Sequence, residues 1–254
     1  MNAKQHGFTL AELAVVIMIL GLVLGGLATV LPNQINNARI NSTQQMLNTV
    51  NDALIGYAMT HTINGHPYLP CPAVSISGVE GPLNGGAACQ RREGWLPWAT
   101  LGTSQTDAWG NLIRYRVDAA FSDHSSGFLL GATANLQVCQ HALTIQPCQA
   151  VALAVPAVYF SSGPDGYGSF TSSYTPNLPP PGANVDEAEN TNGSNATVTA
   201  DNPCFPGNAA CTFVSHSPVD PGGAAAGGGQ FGNIVGWLPA NLLFSRLVAA
   251  GKLP

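Results

Sequence analysis

Three hydrophobic patterns succeed one another along the chain. From Phe8 to Leu31 the run is largely apolar with a single charge, Glu12, and Pro32 with polar Asn33 and Gln34 closes it. As a helix rising about 1.5 Å per residue it is about 36 Å long, enough to cross a hydrocarbon core of about 30 Å. The pattern then turns periodic. Leu47, Val50, Leu54 and Tyr57 recur at helical steps, with Ile35 and Ile40 before them and Asn and Gln between. That spacing predicts an amphipathic continuation of the helix over 32–60, its apolar face packed on a globular head. Gly65 and Pro67 follow its end.

The third pattern, from residue 61 onward, is one of short strands between Gly- and Pro-rich turns. Asp107-Ala108-Trp109-Gly110-Asn111 reads as a turn leading into a strand through Val117. Further strands are predicted at Phe128–Leu130, Ala142–Ile145, Val151–Phe160 and Ile234–Leu238. A short helix is predicted over Ala240–Ala250, with Leu243, Leu247 and Ala250 along one side and Gly251 at its C-cap. Between 161 and 232 lie Pro179-Pro180-Pro181 and the Ala224–Gly229 tract, which predict irregular loops. The expected fold is α+β. A long N-terminal helix, membrane-spanning in its first half, packs on a small antiparallel sheet head (61–254) with long disulfide-stapled loops.

Composition narrows the function classes. The 254-residue chain fits one domain with an appendage, and its net charge is −5 with eight Lys and Arg in all. No basic stripe is present, so nucleic acid is not an expected partner. The one basic cluster, Arg91-Arg92, reads as a solvated loop. Six cysteines stand at 71, 89, 139, 148, 204 and 211 without a CxxC spacing, which favours disulfides in an oxidising compartment over zinc. Sequential pairing is expected, Cys71 with Cys89, Cys139 with Cys148 and Cys204 with Cys211, each closing a local loop and stabilising the fold by about 2–4 kcal/mol. The nucleophile-elbow, zinc-protease, Walker and dinucleotide fingerprints are all missing from the sequence, so no catalytic residue is nominated and no enzymatic activity is expected. His124, His141 and His216 read as surface or structural residues, and no protein metal site is read from them.

Three readings compete for the first apolar run. A secretory signal peptide should have an apolar core of about 7–15 residues, shorter than this one. A plain anchor explains the length but leaves Glu12 in place, where a charge near the bilayer centre costs about 2.5–3.5 kcal/mol. The third reading is a processed segment. Gly7-Phe8-Thr9-Leu10-Ala11-Glu12, behind a short leader carrying Lys4, strongly resembles the processing motif of type IV pilins and of the pseudopilins of type II secretion.

That resemblance implies a leader (1–7) cut between Gly7 and Phe8 by a prepilin peptidase, N-methylation of Phe8, and a transmembrane helix over 8–31. It assigns Glu12 to assembly, where the carboxylate meets the new amine of a neighbouring subunit. At about 4 Å and an effective dielectric near 20 the attraction is about 4 kcal/mol before desolvation, comparable with the cost of placing the acid in the membrane. Gly21, Gly25 and Gly26 either let this stretch unwind in a filament, as in the pilin family, or allow close helix packing.

Two segments of the head carry weaker resemblances. The Asp107–Gly110 turn resembles the Asp-Pro-Trp-Gly turn of major pseudopilins, with Ala108 in place of proline. Ser161 to Gly168 resembles the loop near which those proteins bind calcium, but Phe231-Gly232-Asn233 stands where an acidic pair is expected. Asp186, Glu187, Glu189 or Asp201 would have to substitute; otherwise the loop is a tight turn and the protein has no cofactor.

The expected protein is therefore a pilin-like structural subunit of a type II secretion pseudopilus or type IV pilus, and its long loops, which would crowd a packed shaft, fit a minor subunit. Its partners would be the prepilin peptidase, other pilin-like subunits and the inner-membrane assembly platform. It would sit in the bacterial inner membrane by a single pass with its head in the periplasm. The alternative is a membrane-anchored periplasmic ligand-binding module or enzyme that uses the long loops.

Overall fold

The computed structural model describes residues 9–145, 147–191, 211–219 and 228–253, without the side chains of 23–33 and of Cys211. The chain divides into two units, 1–41 and 42–254, and one helix, α1 (Leu10–Thr60), belongs to both. In the first unit α1 presents apolar side chains around its whole circumference from Leu10 to Leu22, all exposed. Ile35 is exposed as well, so the apolar face predicted over 32–60 begins later than expected.

In the second unit that face is real. Leu47, Val50, Leu54 and Tyr57 are all buried, and Ala58 joins them one turn on from Leu54. Asn51 donates from Nδ2 to the Trp237 carbonyl at 3.4 Å, tying the helix to the sheet beneath it. Tyr57 donates its hydroxyl to Glu80 Oε2 at 2.8 Å, and Glu80 Oε1 accepts the Cys71 amide at 2.7 Å. The C-terminal part of α1 is thus fixed to the head by an apolar face and by a carboxylate at its last turns.

The helix leads into two hairpins, β1 (Thr62–Ile63) with β2 (His66–Pro67), and β3 (Leu83–Asn84) with β4 (Ala88–Cys89). The main sheet contains β5 (Glu93–Trp95) and β6 (Arg114–Val117), with the short helix α2 (Trp98–Leu101) between them. A smaller sheet contains β7 (Leu136–Cys139) and β8 (Ala150–Val155). Next come β9 (Ala157–Ser161), α3 (Val185–Asn190), β10 (Cys211–Val214), β11 (Ile234–Leu238) and α4 (Ala240–Ala249). The main sheet runs β11-β9-β6-β5, antiparallel throughout.

The smaller sheet runs β10-β7-β8, and β10 pairs with β7 in parallel. The antiparallel sheet expected for the head is the main sheet, and this parallel pair is an addition to it. Parallel neighbours need a long crossover, and the chain between Cys139 and Cys211 provides one that includes α3. Leu136, Val138, Val155, Val158, Phe160 and Phe213 form one buried cluster shared by the two sheets.

Several strand expectations fail for identifiable reasons. The run Val151–Phe160 is two strands, not one. Pro156, which has no amide donor, lies between them, and β8 and β9 enter different sheets. β8 is largely exposed, whereas β9 is buried throughout. Phe128–Leu130 pairs with nothing in a sheet; Phe128 packs instead on Phe121, 4.8 Å between ring centres, and its amide donates to Pro67 O. Ala142–Ile145 is a turn in which Ile145 donates to the Ala142 carbonyl, inside the loop closed by Cys139 and Cys148.

The region 161–232 is less irregular than expected. It holds α3 and β10, and Ser161, Ser162, Ser169, Asp186, Glu187 and Asn190 within it are buried. Arg91 and Arg92 are half-buried, with part of each residue still open to solvent. α4 buries Leu243 and Leu247 but leaves Ala250 exposed.

Candidate functional site

The described chain begins at Thr9, immediately before α1, and its first turn is closed reciprocally. The Thr9 amide donates to Glu12 Oε2 at 2.9 Å, the Thr9 hydroxyl reaches the same oxygen at 3.0 Å, and the Glu12 amide donates to Thr9 Oγ1 at 3.3 Å. This is a capping box, in which an N-cap threonine and an acid three residues on satisfy each other's orphan amides. The signal Thr-x-x-Glu is legible in the sequence, at positions 9 and 12. Glu12 is exposed, like its neighbours from Leu10 to Leu22. A helix that is apolar on every side but one carboxylate has no face that prefers water, so it needs lipid or other helices around it.

Gly7 and Phe8, expected to flank the cleavage, lie outside the described residues. Among the described residues no helix is long and apolar enough to cross a membrane. The described side chains of the expected 8–31 span end at Leu22, so they cover about 21 Å of helix against about 30 Å of hydrocarbon.

In the head, Cys71–Cys89 and Cys139–Cys148 are disulfide-bonded, with Cα atoms 5.4 and 5.2 Å apart. The third expected pair rests on Cys204, which lies outside the described residues. Cys71, Cys89 and His124 gather closely, but both sulfurs are spent in the disulfide and offer no thiolate to a metal. His124 instead lies 3.2 Å from Glu80 Oε1. Burial raises the Glu80 carboxyl, but contacts from His124, the Cys71 amide and Tyr57 outweigh it and leave the group below its ordinary value.

The turn at Asp107 organises the next site. Asp107 Oδ1 accepts the amides of Trp109 and Asn111, both at 2.9 Å, while Oδ2 accepts the Ser161 hydroxyl at 2.6 Å. Ala108 donates its amide to Thr43 Oγ1 on α1 at 3.3 Å, a bond that a proline could not make. The departure from the Asp-Pro-Trp-Gly pattern therefore has a structural use. Asn111 Nδ2 reaches the Gly163 carbonyl at 3.2 Å, linking this turn to the loop from Ser161 to Gly168. Gly163 has φ +69°, and a Cβ there would stand 2.0 Å from the Gly232 carbonyl oxygen, so only glycine admits the two strands of loop so close.

That loop brings Asp165 close enough to Glu187 of α3 for the two carboxyl groups to repel each other when both are charged. Burial and then the Asp165 charge push the Glu187 carboxyl up to about 7. Burial raises Asp165 as well. Each of the four oxygens also accepts from nitrogen: Asp165 from Tyr167 N and Gln230 Nε2, Glu187 from Gly232 N and Asn184 Nδ2. Calcium takes about six to eight oxygen ligands. Here the four carboxylate oxygens are already engaged by nitrogen donors, which a calcium ion would have to displace. Of the other expected substitutes, Asp201 is outside the described residues, the Glu189 carboxyl is raised by burial and by the Asp186 charge, and Asp186 is engaged elsewhere.

Asp186 belongs to a separate cluster. Its Oδ2 lies 3.0 Å from His141 Nδ1 and 3.2 Å from His216 Nε2, and its Oδ1 accepts the Ala142 amide at 2.7 Å. Three segments meet here: the turn after β7, the first turn of α3 and the stretch after β10. Asn190 at the end of α3 holds them in register by exchanging hydrogen bonds with both backbone groups of Val214, at 2.6 and 3.0 Å. Beneath, Phe231 stacks on His216 with ring centres 4.0 Å apart and packs with Ala142 and Val214. Burial raises the Asp186 carboxyl, but His216, the Ala142 amide and His141 overcome it and hold the group below its ordinary value. No spacing along the chain announces this cluster, since its members are 45 and 30 residues apart.

Residues 2–28 match the family model of the prokaryotic N-terminal methylation motif. No curated protein and no solved structure matches the chain. The matched segment contains the capping box, Glu12 and most of the apolar run, and it supports a membrane-anchored, pilin-like protein of the kind prepilin peptidase processes. The chain therefore carries the prepilin-type N-terminal methylation motif of type IV pilins and pseudopilins.

Proposed function

We propose that this protein is a structural subunit of a type II secretion pseudopilus or a type IV pilus, cut between Gly7 and Phe8 and methylated on Phe8. It is held in the inner membrane by residues 8–31 with its head in the periplasm until assembly draws it into a filament. It catalyses nothing itself. The methylation motif over 2–28 carries this reading, together with an acid set in the first turn of a helix otherwise apolar on all sides. The Trp109-Gly110 turn favours a pseudopilin over a pilus subunit, and the long segments between 161 and 232 favour a minor subunit over one that must pack repeatedly along a shaft.

The assembly step follows from electrostatics. Cleavage at Gly7 creates an ammonium group on Phe8, and the Glu12 carboxylate of a subunit already in place offers that amine its counter-ion. Little else in the apolar segment distinguishes one axial register from another, so this pair sets the stagger between subunits. N-terminal mass spectrometry of the chain from cells that contain the peptidase tests the reading. A mature terminus at methylated Phe8 is expected, and a terminus at Met1 would sink it.

A further inference from the structure

We propose that His141 Nδ1, Asp186 Oδ2 and His216 Nε2 form a binding site for a single zinc-class divalent ion in the head. The site is independent of the N-terminal assembly machinery. All three atoms lie within 4.8 Å of one another. Zinc holds nitrogen and oxygen ligands at about 2.0–2.2 Å in a tetrahedron, which separates neighbouring ligand atoms by about 3.3 Å. The two nitrogen-to-oxygen edges here, 3.0 and 3.2 Å, already have nearly that length.

The hydrogen bonds around the cluster point the same way. His216 Nδ1 stands 2.7 Å from the Ser217 carbonyl oxygen, an acceptor with no hydrogen to give, so Nδ1 carries the proton. In the neutral ring the Nε2 lone pair then faces a carboxylate oxygen at 3.2 Å, two electron-rich atoms in opposition. Something positive must lie between them, a second proton or a metal ion. A ligating imidazole whose other nitrogen donates to a backbone carbonyl is the arrangement that fixes the tautomer for a metal. Asp186 is prepared similarly, since Oδ1 is held by the Ala142 amide while Oδ2 faces both rings.

Access and support are also present. The Asp186 side chain is 1% exposed and both imidazoles 14%, so the carboxylate forms the floor and the rings form a rim open to solvent. A Cβ at Gly228 would stand 1.9 Å from Asp186 Oδ2, so glycine there keeps one side of the carboxylate clear of a side chain. With three protein ligands the fourth position falls to water or to a donor from a partner. The ion would fasten the ends of β7 and β10 to α3, a link that neither described disulfide makes.

The test uses the full chain in detergent, without a polyhistidine tag, stripped with a chelator and titrated with zinc chloride against a chromophoric competitor. Circular dichroism and the two intact disulfides verify folding. One zinc per chain is expected, with a rise in thermal midpoint. His141→Gln and His216→Gln should each weaken binding by at least about a hundredfold. Cobalt(II) on the unmodified chain should give the intense visible bands of a tetrahedral site, a readout that needs no variant. Folded wild-type protein that binds no zinc, or binds it equally well after both substitutions, overturns the proposal. Because the N-terminus is not involved, failure here leaves the processing test untouched.

Discussion

Thr9 and Glu12 satisfy each other's amides across the first turn of α1, so the acid that assembly would use also begins the helix. The carboxylate is held at one place on the helix, facing along its N-terminal end, where the macrodipole favours a negative group. A side chain fixed in this way presents its charge to a neighbour with less entropy left to lose.

The two duties separate by substitution. Glu12→Gln keeps the capping box, since an amide oxygen accepts as a carboxylate does, but removes the charge. Glu12→Ala loses both, and Thr9→Val weakens the cap by about 1 kcal/mol while leaving the acid. Filament incorporation, measured in sheared surface fractions, should be lost in Gln and Ala alike and retained in Val. Normal incorporation of Glu12→Gln would transfer the role from charge to capping.

A buried charge cluster should dominate the stability of the main sheet. Glu93 on β5 pairs with Arg114 and, at 3.4 Å, with Arg116 on β6, all buried, while the Arg114 guanidinium also lies 5.4 Å from the centre of the Trp95 ring. Glu93→Ala leaves two guanidinium groups in a dry site without this carboxylate and should cost about 3–5 kcal/mol. Urea denaturation of the folded chain measures it, and a loss below about 1 kcal/mol would mean that water enters the cluster.

The Asp165–Glu187 pair should make the head less stable in alkali. Glu187, raised from an ordinary 4.5 to about 7, holds a proton in the folded state that the unfolded chain has already released. Its contribution is complete below about pH 4.5 and is lost as pH rises through about 7, a loss of about 3 kcal/mol at most. Glu80 and Asp186 are lowered, so their contributions disappear at the acid end, as pH falls through their folded values, outside this window. The thermal midpoint should fall between about pH 5 and pH 8 in the native chain and fall less in Glu187→Gln, where the other raised carboxyls, Asp107, Asp165 and Glu189, still act. Calcium at about pH 8 should leave the midpoint unmoved. A calcium-dependent rise that Glu187→Gln abolishes would restore the metal reading of this loop.

The Thr43–Ala108 bond gives a fourth test. Thr43 is buried, so Thr43→Val strands the Ala108 amide and should cost about 1–3 kcal/mol. Ala108→Pro removes the donor. If the bond is what the alanine is for, the double variant should be clearly less damaged than the sum of the single ones. Strict additivity would leave the alanine without that explanation.

The sequence alone determined the long helix and the processing motif, because both are written in consecutive residues: unbroken apolarity, 3.6-residue spacing, Gly-Phe with an acid at a set distance. It also determined two local disulfides, whose loops are short enough that neighbours along the chain are neighbours in space, and the turn at Asp107, whose side chain bonds to amides two and four residues on. Tertiary structure decided the rest. Val151–Phe160 looked like one buried strand, since periodicity does not say which sheet each half will join. The parallel pairing of β10 with β7 depended on a crossover that no local pattern encodes. Asp165 meets Glu187, and His141 and His216 meet Asp186, because α3 packs beside β10 and against the loop that follows β9. The cost of burying a carboxylate is set by whatever partners arrive from distant segments, and composition along the chain does not record who they will be.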